Sequence, residues 1–428
     1  MPIGTDIVRI SRMQKLLRND IPPMVFSASE KNYILSKKDK FQTAAGIFAA
    51  KEAVLKAMGT GITLPLSEVC IDHSKGGMPN VILKGKAKEK AYSLGLLDFE
   101  ISITHDGDYA IASAVATYSK ELRFYNEAIK KVADAPENAV NTNLVKDILK
   151  LRKSDTHKGD YGRVYNLAGS KGLTGAAIMS SLALLYCGAG LITLGCANEL
   201  NPIFEISLRE VMTKPLKSRN GKICASNIQD IIKELKKSDV ALIGPGLGRS
   251  QGIDEIIKQI IEQDVCPCVI DADGLNALSN NINVLKGHKS PMILTPHIGE
   301  FERLIKVKAD KILLNTKMYA LDFSQKYNVV LVLKSHKTVV AMPDGKVFVN
   351  ILGNPGMATG GTGDVLCGAI ASFMAQGISP KNAALAGVYI HSLAADMASY
   401  EKGEYSLTPT DILDYLPYAI KYTQKEMH

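Results

Sequence analysis

The alternation of apolar and polar positions changes character along the chain and divides it. Between Ile101 and Val115 two alternating runs, Ile101-Ser102-Ile103-Thr104-His105 and Tyr109-Ala110-Ile111-Ala112-Ser113-Ala114-Val115, are split by Asp106-Gly107-Asp108. Period-two alternation interrupted by a glycine turn predicts an antiparallel hairpin. From Ser119 to about Asn143 polar and charged residues take over, including Ala133-Asp134-Ala135-Pro136-Glu137-Asn138, and a connector containing helical turns is expected. Past it, a short amphipathic helix over Leu144 to Arg152 precedes unbroken apolar runs separated by helical stretches. Strands are expected over Arg163 to Ala168, Leu191 to Cys196, Val240 to Ile243, Cys268 to Asp271, Met292 to Thr295 and Val329 to Lys334, with a helix from Thr174 to Cys187. Continuous apolar strands alternating with helices predict a parallel sheet covered on both faces, whose ligands sit at the carboxyl ends of its strands.

Length agrees with more than one domain: 428 residues exceed the usual scale of roughly 100 to 200 per domain. The expected division is residues 1–118, a connector over 119–140, and a larger α/β domain over 141–428. With 46% hydrophobic and 22% charged residues, the composition is that of a globular protein, and no apolar run approaches the roughly 18 residues of a membrane span. Met1-Pro2-Ile3-Gly4-Thr5-Asp6 lacks the basic region and apolar core of a signal peptide, and seven scattered cysteines fit reduced, buried thiols. A cytoplasmic protein is therefore expected. Cys266-Pro267-Cys268 has no second pair or histidine cluster nearby to complete a structural metal site. A net charge of +8 is spread along the chain and tryptophan is absent, which argues against a nucleic-acid surface and leaves an acidic protein or a phosphorylated small molecule as partner.

The strongest chemical signal is Gly353-Asn354-Pro355-Gly356-Met357-Ala358-Thr359-Gly360-Gly361-Thr362-Gly363-Asp364, leading into an apolar helix. Small residues let backbone N–H groups converge, and the helix N-terminus adds its positive dipole end, so an anion is expected to bind there without a cationic side chain. Asp364 would then act as a base toward an attacking hydroxyl in phosphoryl transfer; the simpler reading is an Asp capping a helix after a glycine-rich turn. Three further turns follow expected strands and should rim the same cleft: Gly244-Pro245-Gly246-Leu247-Gly248, Asp271-Ala272-Asp273-Gly274 and Thr295-Pro296-His297-Ile298-Gly299-Glu300. Asp271 and Asp273 fit either metal support or helix capping.

Together with His157-Lys158-Gly159-Asp160-Tyr161-Gly162-Arg163-Val164 and Ala168-Gly169-Ser170 followed by Thr174-Gly175-Ala176-Ala177, these motifs make residues 141 to 428 resemble the ADP- or ATP-dependent NAD(P)H-hydrate dehydratases, a ribokinase-like family. The resemblance implies a ribokinase-like parallel-sheet sandwich. It also implies nucleotide-driven dehydration of NAD(P)H-hydrate with a divalent cation, Asp364 as base, and Gly360, Gly361, Thr362 and Gly363 around the transferred phosphoryl group. By the same resemblance, Lys334, Ser335, His336, Lys337 and Thr338 lie along the adenine nucleotide with Gly363. Ala177, Gly246 and His297 contact the damaged dinucleotide, His297 as a binding residue rather than an acid. Ser335 stands where the family usually has glycine.

In the N-terminal region Asp6, in Ile3-Gly4-Thr5-Asp6-Ile7-Val8, and Glu52, in Phe48-Ala49-Ala50-Lys51-Glu52-Ala53-Val54-Leu55-Lys56-Ala57, stand in apolar surroundings. Two such carboxylates packed together would favour a hard cation such as Mg2+. Lys56, four residues after Glu52, is placed either to pair with it along the helix or to meet a phosphate. Gly4 to Ile10, Phe48 to Lys56 with Met58-Gly59-Thr60-Gly61, Gly77-Met78-Pro79 and Ile101 to His105 make residues 1 to 118 resemble acyl carrier protein synthase, a 4'-phosphopantetheinyl transferase of α+β fold. That resemblance implies transfer of phosphopantetheine from coenzyme A to a serine of apo acyl carrier protein. It implies Mg2+ on Asp6 and Glu52, roles for Lys56 and His105, and a trimer with sites between subunits. Ile47 replaces an expected arginine and Thr104 an expected serine. The expectation is thus a bifunctional, homo-oligomeric enzyme. Its alternatives are a C-terminal kinase of a small alcohol, such as a vitamin precursor, and a non-catalytic N-terminal module for trimerisation or docking.

Overall fold

The computed structural model describes residues 1–18, 20–73, 78–131 and 136–424. Gly77 of the Gly77-Met78-Pro79 motif, and Ala133, Asp134 and Ala135 of the expected connector, lie outside the described residues. The chain is of α/β type and divides into two units between Glu127 and Ala128, inside the span read as connector. Among the described residues no helix is long and apolar enough to cross a membrane.

The first unit contains strands β1 (Ile3–Arg9), β2 (Val69–His73), β3 (Pro79–Leu83), β4 (Leu96–Asp106) and β5 (Tyr109–Tyr118). β4 and β5 are the expected hairpin, turning at Gly107 and Asp108, and β1 adds on the far side of β5 to give an antiparallel sheet of order β1-β5-β4. Ala110, Ala112, Ala114 and Ala116 form the buried face of β5. Their small side chains let the helix Lys40–Ala57 lie close across the sheet, and Asp39 starts that helix by accepting from the Gln42 N–H at 2.9 Å. The approach is closest at Gly4, where an added Cβ would stand 2.0 Å from the Ala53 carbonyl oxygen. A second constraint is buried: Lys51 Nζ donates to Glu30 Oε2 (2.8 Å) and to the Leu66 carbonyl (3.0 Å), while Glu30 also accepts from the Ile71 N–H. Such a pair is tolerated in the core because its remaining polar atoms are hydrogen-bonded.

The second unit is built on β6 (Arg163–Leu167), β7 (Leu191–Ala197), β8 (Met212–Leu216), β9 (Ser218–Arg219), β10 (Lys222–Ile223), β11 (Val240–Ile243), β12 (Cys268–Ile270), β13 (Met292–Leu294), β14 (Val330–Leu333), β15 (Val339–Ala341) and β16 (Val347–Val349). Its main sheet has nine strands in the order β16-β15-β14-β13-β12-β11-β6-β7-β8. Pairing is parallel from β8 to β14, as the continuous apolar runs predicted, and antiparallel through β15 and β16. Chain order reverses between β6 and β11, which opens a crevice at their carboxyl ends.

The first helix of this unit runs Thr142–Ile148, shorter than expected. The carbonyls of Leu149 and Lys150 accept from the Gln424 side chain. All seven cysteines are free and six are buried.

Candidate functional site

In the second unit the helix Thr362–Ala375 begins at Gly361, whose φ of +101° places it in the left-handed region where glycine is favoured. The Thr362 hydroxyl donates to the Thr359 carbonyl at 3.0 Å, holding the preceding turn, and the Asp364 N–H donates to the Gly361 carbonyl at 3.1 Å. At Gly360 an added Cβ would meet nothing within 4 Å, so the turn opens to free space. The loop's first residues are tied down from beneath: Asp396 accepts from the Gly353 N–H, the Asn354 side chain and Lys131 Nζ. Asp396 was missed in the sequence, although a lone carboxylate in the apolar stretch Tyr389 to Ala398 was the available signal.

Asp364 stands in the first helical turn beside a set of charges drawn from three other strand ends. Burial pushes its carboxyl up to about 7; Asp271, Glu300 and Asp273 add to the rise, and Lys334 opposes it. Lys334 Nζ lies 2.6 Å from Asp271 Oδ1 and 3.9 Å from Glu300 Oε2. It also lies 3.2 Å from where a Cβ on Gly363 would sit. The expectation of a cradle without a cationic side chain is therefore corrected: the Lys334 ammonium is placed against its glycine. Sequence reading could not find this arrangement, because Lys334 and Asp271 are 63 residues apart and follow β14 and β12, the strands on either side of β13.

His297 sits next to Lys334 in space, through a backbone bridge between the two residues. Its Nδ1 accepts from the N–H groups of Gly299 (3.0 Å) and Glu300 (3.3 Å), while Glu300 Oε2 accepts from the His297 N–H at 2.9 Å. This reciprocal cap fixes Nδ1 as an acceptor and leaves Nε2 as the protonated nitrogen. Burial, with the nearby Lys334 and Arg303, holds the imidazole below its ordinary pKa. Asp271 and Asp273 make no side-chain cap at the start of the helix Ala272–Asn280. Asp271 pairs with Lys334, and Asp273 accepts from the Gly248 N–H at 2.8 Å, anchoring the Gly244 to Gly248 turn.

Gly246 (φ +61°) brings that turn against Leu173 and Ala176. Ala177 is fully buried below Gly169 and presents no side-chain surface to the cleft. In the Lys334 to Thr338 loop, the Ser335 hydroxyl donates to the Lys337 carbonyl (2.9 Å), and the Thr338 hydroxyl donates to the Ser335 carbonyl (3.2 Å). The serine that replaces glycine is thus used inside the loop, with His336 and Lys337 exposed.

In the first unit Asp6 on β1 and Glu52 on the helix Lys40–Ala57 are brought side by side. Burial and then the neighbouring Asp6 raise the Glu52 pKa, with Lys56 and Arg12 opposing. Lys56 Nζ donates to Asp6 Oδ1 (2.7 Å) and the Thr5 carbonyl (3.0 Å). His105, on β4, packs over Gly46: its Nε2 is 2.8 Å from the position of an added Cβ. Gly46 precedes Glu52 by six residues, about 9 Å along the helix axis. Ile47 is part of the hydrophobic core, while Thr104 is exposed. Among the described residues no group of three or more His, Cys, Asp or Glu is arranged to hold a metal. The Asp6–Glu52 pair is instead two adjacent carboxylates whose mutual repulsion a hard cation would relieve, so it fits Mg2+ completed by oxygen ligands from elsewhere.

Residues 2–114 match the family model of the 4'-phosphopantetheinyl transferase superfamily, and residues 164–418 that of NAD(P)H-hydrate dehydratase. A bifunctional NAD(P)H-hydrate repair enzyme from Moorella thermoacetica is 39% identical over 280 residues, covering 65% of this chain and 53% of that protein. The chain thus spans about half the length of the bifunctional relatives it matches. An ADP-dependent (S)-NAD(P)H-hydrate dehydratase from Listeria monocytogenes is 34% identical over 280 residues, 65% of this chain and 94% of its own length. Among solved structures, the ADP/ATP-dependent NAD(P)H-hydrate dehydratase of Bacillus subtilis, co-crystallised with ATP and Mg2+, superposes with a TM-score of 0.58 at 29% identity over 68% of this chain and 99% of that one. With a matched region that spans more than half of its length, the chain belongs to the NAD(P)H-hydrate dehydratase family.

Proposed function

We propose that the second unit repairs hydrated NADH or NADPH at the expense of ADP or ATP. The observation that carries this reading is Asp364, a carboxyl raised to about 7 at the mouth of a glycine cradle, where a base near neutrality is needed. Asp364 takes the proton of the ring hydroxyl as its oxygen attacks the terminal phosphorus. The cradle N–H groups and the helix N-terminus hold the phosphoryl oxygens. The phosphorylated oxygen then departs as phosphate with the C–O electrons, driven by the ring nitrogen, and the adjacent ring carbon loses a proton to it, restoring the double bond. Gly246 and His297 line the dinucleotide side, Ala177 supports it from below, and the Lys334 to Thr338 loop with Gly363 flanks the nucleotide.

For the first unit we propose phosphopantetheinyl transfer from coenzyme A to apo acyl carrier protein. Mg2+ held by Asp6 and Glu52 would neutralise the pyrophosphate of coenzyme A. Lys56 releases or shares Asp6 to meet a phosphate, and His105 marks the other end of the site along the helix. The exposed face of β1 and β5 carries Ile3 (67% exposed) opposite Val115 and Ile7 (58% exposed) opposite Ile111, a surface suited to a homo-oligomer. The free cysteines agree with a reducing compartment and hence a cytoplasmic enzyme.

Recovery of NADH absorbance from its hydrate, with ADP and ATP in parallel, tests the first activity. A stable phosphorylated alcohol with no NADH regenerated would replace it with a kinase. A phosphopantetheine mass gain on apo acyl carrier protein in the presence of coenzyme A and Mg2+ tests the second. No mass gain from the intact chain would leave a docking or trimerisation module.

A further inference from the structure

Lys334 carries three N–H donors. One is fixed on Asp271 Oδ1 at 2.6 Å, while Glu300 Oε2, at 3.9 Å, is beyond hydrogen-bond distance. The two partners differ in exposure: the Asp271 side chain is 1% exposed and that of Lys334 18%. The ammonium is therefore anchored by a buried carboxylate and lies against Gly363 of the cradle. Although burial alone would lower its pKa, Asp271 and Glu300 hold Lys334 above the ordinary lysine range, so it stays charged.

The surroundings require such a charge. Asp271, Glu300 and Asp273 all act electrostatically on Asp364, and a nucleotide phosphate brought beside it adds more negative charge. Helix N–H groups supply only about half a positive charge. Lys334 Nζ is the cation set against the cradle, 3.2 Å from the Cβ position of Gly363, and the glycine leaves the room it needs.

We propose that Lys334 is a catalytic residue whose ammonium binds the transferring phosphoryl group, and that Asp271 is the positioning residue that aims it. The inference rests on the dehydratase reading of this unit and deepens it, moving Lys334 from the adenine-binding loop to the reaction centre. In the step it assists, the hydroxyl oxygen forms a bond to the terminal phosphorus while the bond from phosphorus to the bridging oxygen breaks. The nucleotide leaves with that electron pair and Asp364 receives the hydroxyl proton. Lys334 donates hydrogen bonds to the phosphoryl oxygens and transfers no proton.

The test compares full-length wild type with Lys334→Met, Lys334→Arg, Asp271→Asn and Gly363→Ala, using steady-state repair kinetics and calorimetric ADP and ATP binding. Lys334→Met is expected to lower kcat by about 10²- to 10³-fold, the scale of losing one donor to a transition-state charge, with nucleotide Kd within about threefold. Lys334→Arg should recover part of the loss, and Asp271→Asn should lower kcat about tenfold while changing the pH profile. Gly363→Ala keeps every charge and introduces a good helix former, and its methyl asks the Lys334 ammonium to give by only a few tenths of an ångström, so it is expected to fold and to lower kcat less than Lys334→Met does. An unchanged kcat in Lys334→Met, or a loss confined to nucleotide affinity, would overturn the proposal. Wild-type chain that regenerates no NADH would instead reject the underlying reading, so the two failures are distinct.

Discussion

Lys56 on the helix Lys40–Ala57 reaches across to Asp6 on β1, its Nζ 2.7 Å from Oδ1, instead of pairing with Glu52 one turn before it. The ion pair therefore ties helix to strand. Glu52 is left beside Asp6 with a raised pKa, from burial first and from Asp6 second. A carboxyl whose folded pKa lies above its unfolded value contributes stability at low pH and loses it as pH rises through the folded value. In the absence of divalent cations, calorimetry should show the first unit's Tm falling as pH rises through the Glu52 titration in wild type, and not in Glu52→Gln. Adding Mg2+ should restore the wild-type Tm and leave Glu52→Gln unmoved. A wild-type transition indifferent to Mg2+ both without and with coenzyme A would remove Asp6 and Glu52 from any metal role.

Asp364 gives the second unit a pH signature of its own. With its carboxyl near 7, the ionised base fraction grows through neutrality, so kcat/KM for hydrate repair should rise with pH and level off above about 7. Asp364→Asn should bind ADP and ATP normally, lose about 10²- to 10⁴-fold in turnover, and lack that inflection. Stability runs the other way: the raised folded pKa means the ligand-free unit is more stable below neutrality than above it, and Asp364→Asn should flatten that dependence. Stopped-time absorbance assays and a pH series of thermal scans measure the two. Turnover of Asp364→Asn equal to wild type would assign the base elsewhere.

The parts of this site that could be read in the sequence are those encoded within one element or one turn. Val240–Ile243 and Met292–Leu294 are unbroken apolar runs, and each is followed by a turn that only a strand-to-helix change explains. His297 and Glu300 lie three residues apart, the spacing of a reciprocal helix cap, but histidine is outside the usual capping set and reads more readily as a ligand-binding residue. β15 and β16 have three residues each, too short for a period to show. Lys56 with Asp6, Lys334 with Asp271, and Lys131 with Asp396 are pairs made by tertiary packing, and nothing local to either partner announces the other.

The exposed face of the first unit's sheet makes a prediction about assembly. Ile3 is paired in register with Val115, Thr5 with Ser113 and Ile7 with Ile111, an apolar strip with a small polar centre. Ile7→Asp combined with Ile111→Asp should lower the sedimentation mass to that of one chain, and with it the transfer of phosphopantetheine, if the transfer site is completed by a neighbouring copy. Each side chain points away from the unit's own core, so the fold should survive. A wild type that already sediments as one chain would rule out assembly through this face.

Gly4 tests whether the two activities are separate. An added Cβ there would stand 2.0 Å from the Ala53 carbonyl oxygen and 2.5 Å from the Ala57 nitrogen, both backbone atoms of the helix that carries Glu52 and Lys56. Overpacking against backbone costs about 1–3 kcal/mol or more, because the helix must move off the sheet to admit the methyl group. Such a shift would also separate Glu52 from Asp6, so the site is lost before the unit unfolds. Gly4→Ala should therefore abolish the mass gain on apo acyl carrier protein and lower the first unit's Tm by several degrees. NADH recovery from the hydrate should stay within about twofold of wild type, since every residue assigned to that reaction lies in the second unit. Both assays run on one preparation, with differential scanning calorimetry to follow each transition; parallel loss of both activities would mean that the second unit depends on the first.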